Sequence, residues 1–185
     1  MKVVLVSCGG KKLGHAAPAR ELYCSPLFRL SLRWAERQGT TYVVSAQHRL
    51  VRLDDVIEPY DLRLAQLSRP ARVAWGWAIL ETLRGLHPQL RELVLLAGAE
   101  YVTWLWPPVN WDWKVTEPLR GMGIGPRLAW LRQVLSEPVP QPRVQLQLRF
   151  TAPQEDWLAA HMDRVRRHLA NAPMEETDED DAEDR

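Results

Sequence analysis

The chain has 185 residues, 46% hydrophobic and 25% charged, with a formal net charge of +1, which fits one globular domain with a small addition. No apolar run reaches the roughly 18 residues of a membrane span, and the short apolar start Val3–Val6 reads as a first strand rather than a signal-peptide core. Two cysteines, Cys8 and Cys24, without a CxxC pair exclude a disulfide framework, make a reducing cytoplasm the default, and give a poor zinc signal; no metal and no cofactor is expected.

Elements follow in chain order. Val3 to Ser7 is a valine-rich run without alternation, the mark of a strand buried on both faces. Pro26 opens a helix capped by Ser25, with Leu27, Leu30, Trp34 and Leu32 inward and Gly39 ending it. Tyr42 to Ala46 is a second strand. Ser68 caps a helix with Pro70 in its first turn, Val73, Trp77, Leu80 and Leu83 as its apolar stripe, and Gly85 as its stop. Leu93 to Ala97 is a third strand that leaves through Gly98, and Ile124 to Leu135 is a further helix with Leu128, Leu131 and Leu135 inward. The alternation of strands and helices predicts an α/β fold, a mostly parallel central sheet flanked by helices. Residues 1–137 form that core domain.

Pro138, Pro140 and Pro142 then break the chain. Val144, Leu146, Leu148 and Phe150 alternate with polar residues as a strand, and a helix over about 153–170 completes a C-terminal extension, 138–173. The tail 174–185, MEETDEDDAEDR, holds eight of the 23 acidic residues and one of the 24 basic ones, which leaves 23 basic against 15 acidic in residues 1–173. Such a block is expected to be disordered. It serves either as a solubilising tail or as a polyanion competing with nucleic acid for the basic body.

The richest stretch runs from Ser45 to Leu62, SAQHRLVRLDDVIEPYDL. A buried strand delivers Ser45 and His48 to its carboxyl end, and a long polar loop follows. In open α/β sheets, ligands bind beyond those ends. Ser7-Cys8-Gly9-Gly10-Lys11-Lys12 ends the first strand without the spacing of a Walker loop or dinucleotide fingerprint. It is either an anion site, using backbone N–H groups with Lys11 and Lys12, or a plain tight turn. Arg120-Gly121-Met122-Gly123-Ile124-Gly125-Pro126 poses the same choice. Nine Trp include a dense stretch, Trp104 to Trp113, that is either packed or an exposed stacking surface.

Ser7 to Lys12, Leu22-Tyr23-Cys24-Ser25-Pro26-Leu27-Phe28-Arg29, Ser45 to Asp61, Leu96-Ala97-Gly98 with Tyr101, and Pro118 to Gly125 occur in an order that resembles a small uncharacterised bacterial and phage domain family. That family is distantly similar to the peroxide stress protein YaaA and to the uracil-DNA-glycosylase-like domain of archaeosine synthase. The resemblance covers about residues 2–135. One departure is Arg49, which stands where those relatives usually have Gly. The resemblance implies an α/β fold and a link to nucleic acid or modified bases.

With a nucleotide-like ligand, Lys11 and Lys12 would hold phosphate, Tyr23 or Tyr60 would stack, and Ser7, Gly9, Ser25 and Ser45 would complete the binding set. His48 would act as acid or hydrogen-bond donor toward a leaving base, and Asp61, with Asp54 as the second choice, would position water or stabilise an oxocarbenium-like centre. Each residue also has a structural use, as strand-end cap, turn former or helix start. The leading expectation is a nucleic-acid-associated protein with a nucleotide- or base-sized pocket, glycosylase- or transglycosylase-like if it is an enzyme. The alternatives are a non-catalytic DNA- or RNA-binding stress-response protein and a protein-interaction module. A single pocket lined by His48, Asp61 and the Ser7–Lys12 turn is the sharpest geometric expectation.

Overall fold

The computed structural model describes residues 1–137; the expected extension at 138–173 and acidic tail at 174–185 lie outside the described residues. Val3–Val6 has no polar residue to turn toward water, so it is stable only inside a sheet covered on both faces. It forms the middle of β1 (Lys2–Ser7), where all four side chains are buried. Along the chain follow β2 (Ala17–Pro18), α1 (Ala19–Leu22), α2 (Pro26–Glu36), β3 (Thr40–Ser45), β4 (Arg49–Arg52) and β5 (Val56–Ile57). A single turn of 3-10 helix at Leu64–Gln66 precedes α3 (Arg69–Leu86), β6 (Glu92–Leu96), α4 (Ala99–Val102), β7 (Lys114–Thr116) and α5 (Ile124–Ser136).

The five-stranded sheet has the order β4-β3-β1-β6-β7. β1 pairs in parallel with β3 and with β6, and β6 with β7, whereas β4 returns antiparallel along the outer edge of β3. The α/β fold with its mostly parallel sheet is therefore as the alternating sequence pattern implies. Because β1 is central and its neighbours run the same way, the carboxyl ends of three strands open on one edge.

Side-chain alternation divides the core into two layers. Val3, Leu5, Val44, Leu93 and Leu95 face α3, meeting Trp75, Ile79, Leu80 and Leu83. Val4, Val6, Val43, Val94 and Leu96 face α2, meeting Phe28, Leu32 and Ala35. Each buried Val, Leu, Ile or Phe contributes about 1.5–3 kcal/mol relative to exposure, so these two layers dominate stability.

Both helix starts are as the sequence implies. Ser25 Oγ accepts from Phe28 N at 3.2 Å and Ser68 Oγ from Ala71 N at 3.3 Å, each with a proline in the first turn. The buried faces are rotated from those expected. On α2 the sheet side carries Phe28, Ser31, Leu32 and Ala35. The small residues Ser31 and Ala35 let the helix lie close to the strands. Trp34 moves to the seam with α5, its ring 5.5 Å from that of Trp130.

On α3 the expected stripe fails at two positions, since Val73 is 53% and Trp77 49% exposed. Trp75 faces inward instead, because its indole N–H donates to the Ser45 carbonyl at 2.9 Å. Gly76 lies beside it against the Trp104 backbone. Trp77 turns out toward Trp111, with ring centroids 5.7 Å apart. On α5, Leu131 is fully buried, while Leu128 and Leu135 are partly covered.

The polar stretch after β3 is also more ordered than expected. Ala46–His48 form a tight turn into β4, and Ser45 pairs with Arg49. Arg49 has φ +61°, left-handed backbone that favours glycine. An arginine there carries local strain that the hairpin register imposes. Among the described residues no helix is long and apolar enough to cross a membrane.

Candidate functional site

Three strand ends meet at the open edge: Ser7 to Gly9 after β1, Ser45 to His48 after β3, and Ala97 to Gly98 after β6. Cys8 N donates to Val44 O at 3.0 Å, which carries the β1–β3 pairing one residue past the strand and fixes the turn beside Ser45.

Ser45, fully buried, is the hub of what lies there. Its Oγ accepts from the backbone N–H of Gln47 at 3.2 Å and of His48 at 2.9 Å, and donates to the Tyr60 hydroxyl at 2.7 Å. The Tyr60 and Tyr23 hydroxyls share a further hydrogen bond of 2.9 Å. Strand β3 supplies Ser45, the segment after β5 brings Tyr60 back over it, and Tyr23 follows α1. Cys8 Sγ and the Tyr101 hydroxyl form a second polar pair at 3.2 Å. Lys12 Nζ stands 4.2 Å from the Tyr60 ring centroid and 5.8 Å from that of Tyr23, a cation held on aromatic faces. His48 packs edge-on against Tyr60, centroids 5.2 Å apart, and its Nε2 is buried with no hydrogen-bond partner.

Burial governs the ionisation of these phenols. It pushes Tyr23 up to about 12 against a partly offsetting hydrogen bond from Tyr60. It also drives Tyr60 and Tyr101 well above the usual tyrosine range, with Cys8 beside both adding to the effect. All three hydroxyls are neutral at physiological pH. They can orient a ligand or a neighbouring backbone by hydrogen bonds, and they hold the strand ends in one arrangement.

Two adjoining cavities open beside this network. The smaller, about 50 Å³, has Ser7, Cys8, Gly9, Ser25, Ser31 and Arg127 on its walls. The larger, about 320 Å³, is lined by Thr103, Trp106, Glu117, Arg120, Gly121 and Arg127 among others. Ala97 and Arg127 belong to both walls, so the cavities adjoin at the end of β6. Arg127 is held there by its own side chain, whose Nε donates to Met122 O at 2.8 Å. Trp106 is 51% exposed, and Gly121, at φ +73°, turns the segment that carries Arg120. Glu117 lies just past β7 with its side chain 13% exposed, 3.8 Å from an Arg120 guanidinium that is itself largely in solvent.

The expected site residues thus fall into three groups. Ser7, Gly9 and Ser25 line the smaller cavity. Lys12, Tyr23, Ser45, His48 and Tyr60 form the packed network behind it. Lys11 and Asp61 are exposed, and no hydrogen bond or ion pair among the described residues involves either side chain. Of the single pocket expected from His48, Asp61 and the Ser7–Lys12 turn, the walls of these two cavities include Ser7, Cys8 and Gly9 and neither His48 nor Asp61. The reason is the hairpin into β4, which folds His48 onto Tyr60 instead of leaving it at a free strand end.

Lining or linking residues outside the expected set include Tyr101, Trp106, Glu117, Arg120 and Arg127. The glycine-rich run from Arg120 and the Trp-rich segment around Trp106 carried a signal. Glu117 and Arg127 carried none, because their placement depends on β7 pairing with β6 and on α5 packing beside α2. Among the described residues no group of three His, Cys, Asp or Glu is placed to hold a metal ion.

Residues 3–133 match the model of a family of unknown function, DUF6884. No curated protein and no solved structure matches the chain.

Proposed function

The chain belongs to DUF6884, a family of unknown function matched over residues 3–133, and from its own geometry we propose that it is a nucleic-acid-associated protein whose adjoining cavities bind a nucleotide-sized ligand. The observation that carries this reading is the pairing of a half-exposed Trp106 with two arginines, Arg120 and Arg127, in a cavity of about 320 Å³. That volume lies at the lower end of small-molecule sites. An aromatic face suits a planar base, and guanidinium groups suit phosphate, whose oxygens they can engage in pairs. The smaller cavity, with Ser25, Ser31 and Gly9 close to Arg127, offers hydroxyls and backbone of the size and polarity of a phosphate group. The placement beyond the carboxyl ends of parallel strands is the usual one for such ligands in α/β sheets.

The distant likeness to YaaA and to the uracil-DNA-glycosylase-like domain of archaeosine synthase is part of the same proposal, as is a glycosylase- or transglycosylase-like reaction. The network around Ser45 would then fix the shape of the cleft, while the exposed Asp61 and the Tyr60-packed His48 would have to approach a substrate larger than the cavities themselves, such as a nucleic-acid strand.

Binding is tested by titrating the full chain with nucleoside 5′-monophosphates and with the matching nucleosides, followed by tryptophan fluorescence and calorimetry. Phosphate-dependent binding that weakens at least about tenfold in Arg127→Ala is expected, the loss of one charge-assisted contact. Absence of saturable binding of any nucleotide would remove the reading. Chemistry is tested by chromatography of free base released from oligonucleotides. A catalytic Asp61 predicts that Asp61→Asn abolishes release while stability stays within about 0.5 kcal/mol, as for other exposed substitutions. Equal release by both proteins would rule out that role.

A further inference from the structure

We propose that Glu117 reads the base, and that the larger cavity selects a guanine-type ring over the other common bases; this rests on the nucleotide reading of the same cavity. Glu117 is the acidic side chain on that wall, and its surroundings leave it short of donors. Its side chain is 13% exposed, so most of it is covered while its carboxylate oxygens stay open to the cavity. Its one ion pair, to Arg120, is loose at 3.8 Å, beyond hydrogen-bond distance, and the Arg120 side chain is 77% exposed. No hydrogen bond to the Glu117 carboxylate occurs among the described residues. The backbone explains why the carboxylate stays there: Arg120 N donates to Glu117 O at 3.1 Å, closing a turn directly after β7 that sets Glu117 at the carboxyl edge of the sheet.

A carboxylate with two acceptor oxygens free of protein donors is matched by a group that presents two adjacent N–H donors. A cationic amine would do so electrostatically, but Arg120 and Arg127 occupy the same cavity and repel cations. A planar ring remains, stacked on Trp106 with its phosphate toward Arg127. Among the common bases only guanine offers two neighbouring donors on one edge, its N1–H and exocyclic N2–H. Adenine and cytosine place an acceptor beside their amino donor, and uracil flanks its single N–H with two carbonyl oxygens, which a carboxylate repels. A bidentate contact of this kind discriminates by about 10- to 100-fold.

The test is calorimetric titration of the full chain with the 5′-monophosphates of guanosine, inosine, adenosine and uridine. Inosine keeps N1–H and lacks the N2 amine, so it should bind between guanosine and adenosine monophosphate, a ranking that the native protein yields without any variant. Guanosine monophosphate should bind about 10- to 100-fold tighter than adenosine monophosphate, and in Glu117→Gln that ratio should collapse toward one, with melting temperature measured alongside. Equal affinity for all four nucleotides, still weakened by Arg127→Ala, would overturn the base-reading role while leaving the nucleotide site standing. Failure of every nucleotide to bind would overturn both.

Discussion

A methyl group added at Gly76 should destabilise the protein, although the same change elsewhere in the same helix should stabilise it. Glycine inside a helix is about 0.5–1 kcal/mol less favourable than alanine, because it loses more backbone freedom on folding. At Gly85, near the end of α3, a Cβ would meet nothing within 4 Å, so Gly85→Ala should gain about that amount. At Gly76 a Cβ would overlap the Trp104 carbonyl oxygen and lie 2.8 Å from its carbonyl carbon, both backbone atoms that no rotamer change can move. Relief requires the helix to shift from the sheet or the 103–106 segment to move outward. Overpacking of this kind costs about 1–3 kcal/mol, which exceeds the helix-propensity gain at its upper end by about 2 kcal/mol. Urea unfolding of both variants, compared by midpoint at constant slope, reads the two signs directly. The displaced segment carries Trp106, so Gly76→Ala should also shift tryptophan fluorescence and weaken any ligand of the larger cavity. A Gly76→Ala protein as stable as the native one would refute the close helix–backbone packing from which this follows.

Removing the hub hydroxyl should cost more than removing the phenol it supports: Ser45→Ala orphans two backbone N–H groups and loses about 2–4 kcal/mol, whereas Tyr60→Phe leaves those bonds intact and loses about 1–2 kcal/mol. Chemical denaturation gives the order, and a reversal would mean that Tyr60, not Ser45, organises the strand end. Arg49→Gly should raise stability by about 0.5–1 kcal/mol, since relief of a left-handed arginine outweighs the added freedom of the unfolded chain. A loss of stability would show that the Arg49 side chain contributes contacts exceeding its strain. Alkaline titration should find Tyr23 ionising near 12 rather than 10.0. Because the folded state keeps the proton longer, the contribution of this group is complete below pH 10 and is lost as pH rises through about 12. Near-ultraviolet phenolate absorbance on native and Tyr23→Phe protein checks the assignment, and a Tyr23 signal appearing at the ordinary tyrosine pKa would contradict its burial.

What the sequence by itself determined is local and periodic. The unbroken apolar run at Val3–Val6, the caps at Ser25 and Ser68, and the regular return of strand and helix are enough to specify a parallel α/β sheet and to point at the carboxyl ends of its strands. Those signals lie within a few residues of one another, so backbone sterics and burial express them without help from the rest of the chain. The rotation of α3, with Trp75 inward and Trp77 outward, is not in that pattern. Two tryptophans on one helix satisfy hydrophobicity either way, and the choice is made by the Ser45 carbonyl that accepts the Trp75 indole and by the Trp104 backbone that needs Gly76. The candidate site divides along the same line. Ser7, Gly9, Ser25 and Ser45 were legible because they end strands or begin helices. The cavity wall of Trp106, Glu117, Arg120 and Arg127 exists only after β7 pairs with β6 and α5 packs beside α2, contacts that bring together residues with no shared periodicity. His48 shows the remaining limit: its position on the strand end was readable, but a tight turn into an antiparallel edge strand, rather than an open loop, decides that its ring faces Tyr60.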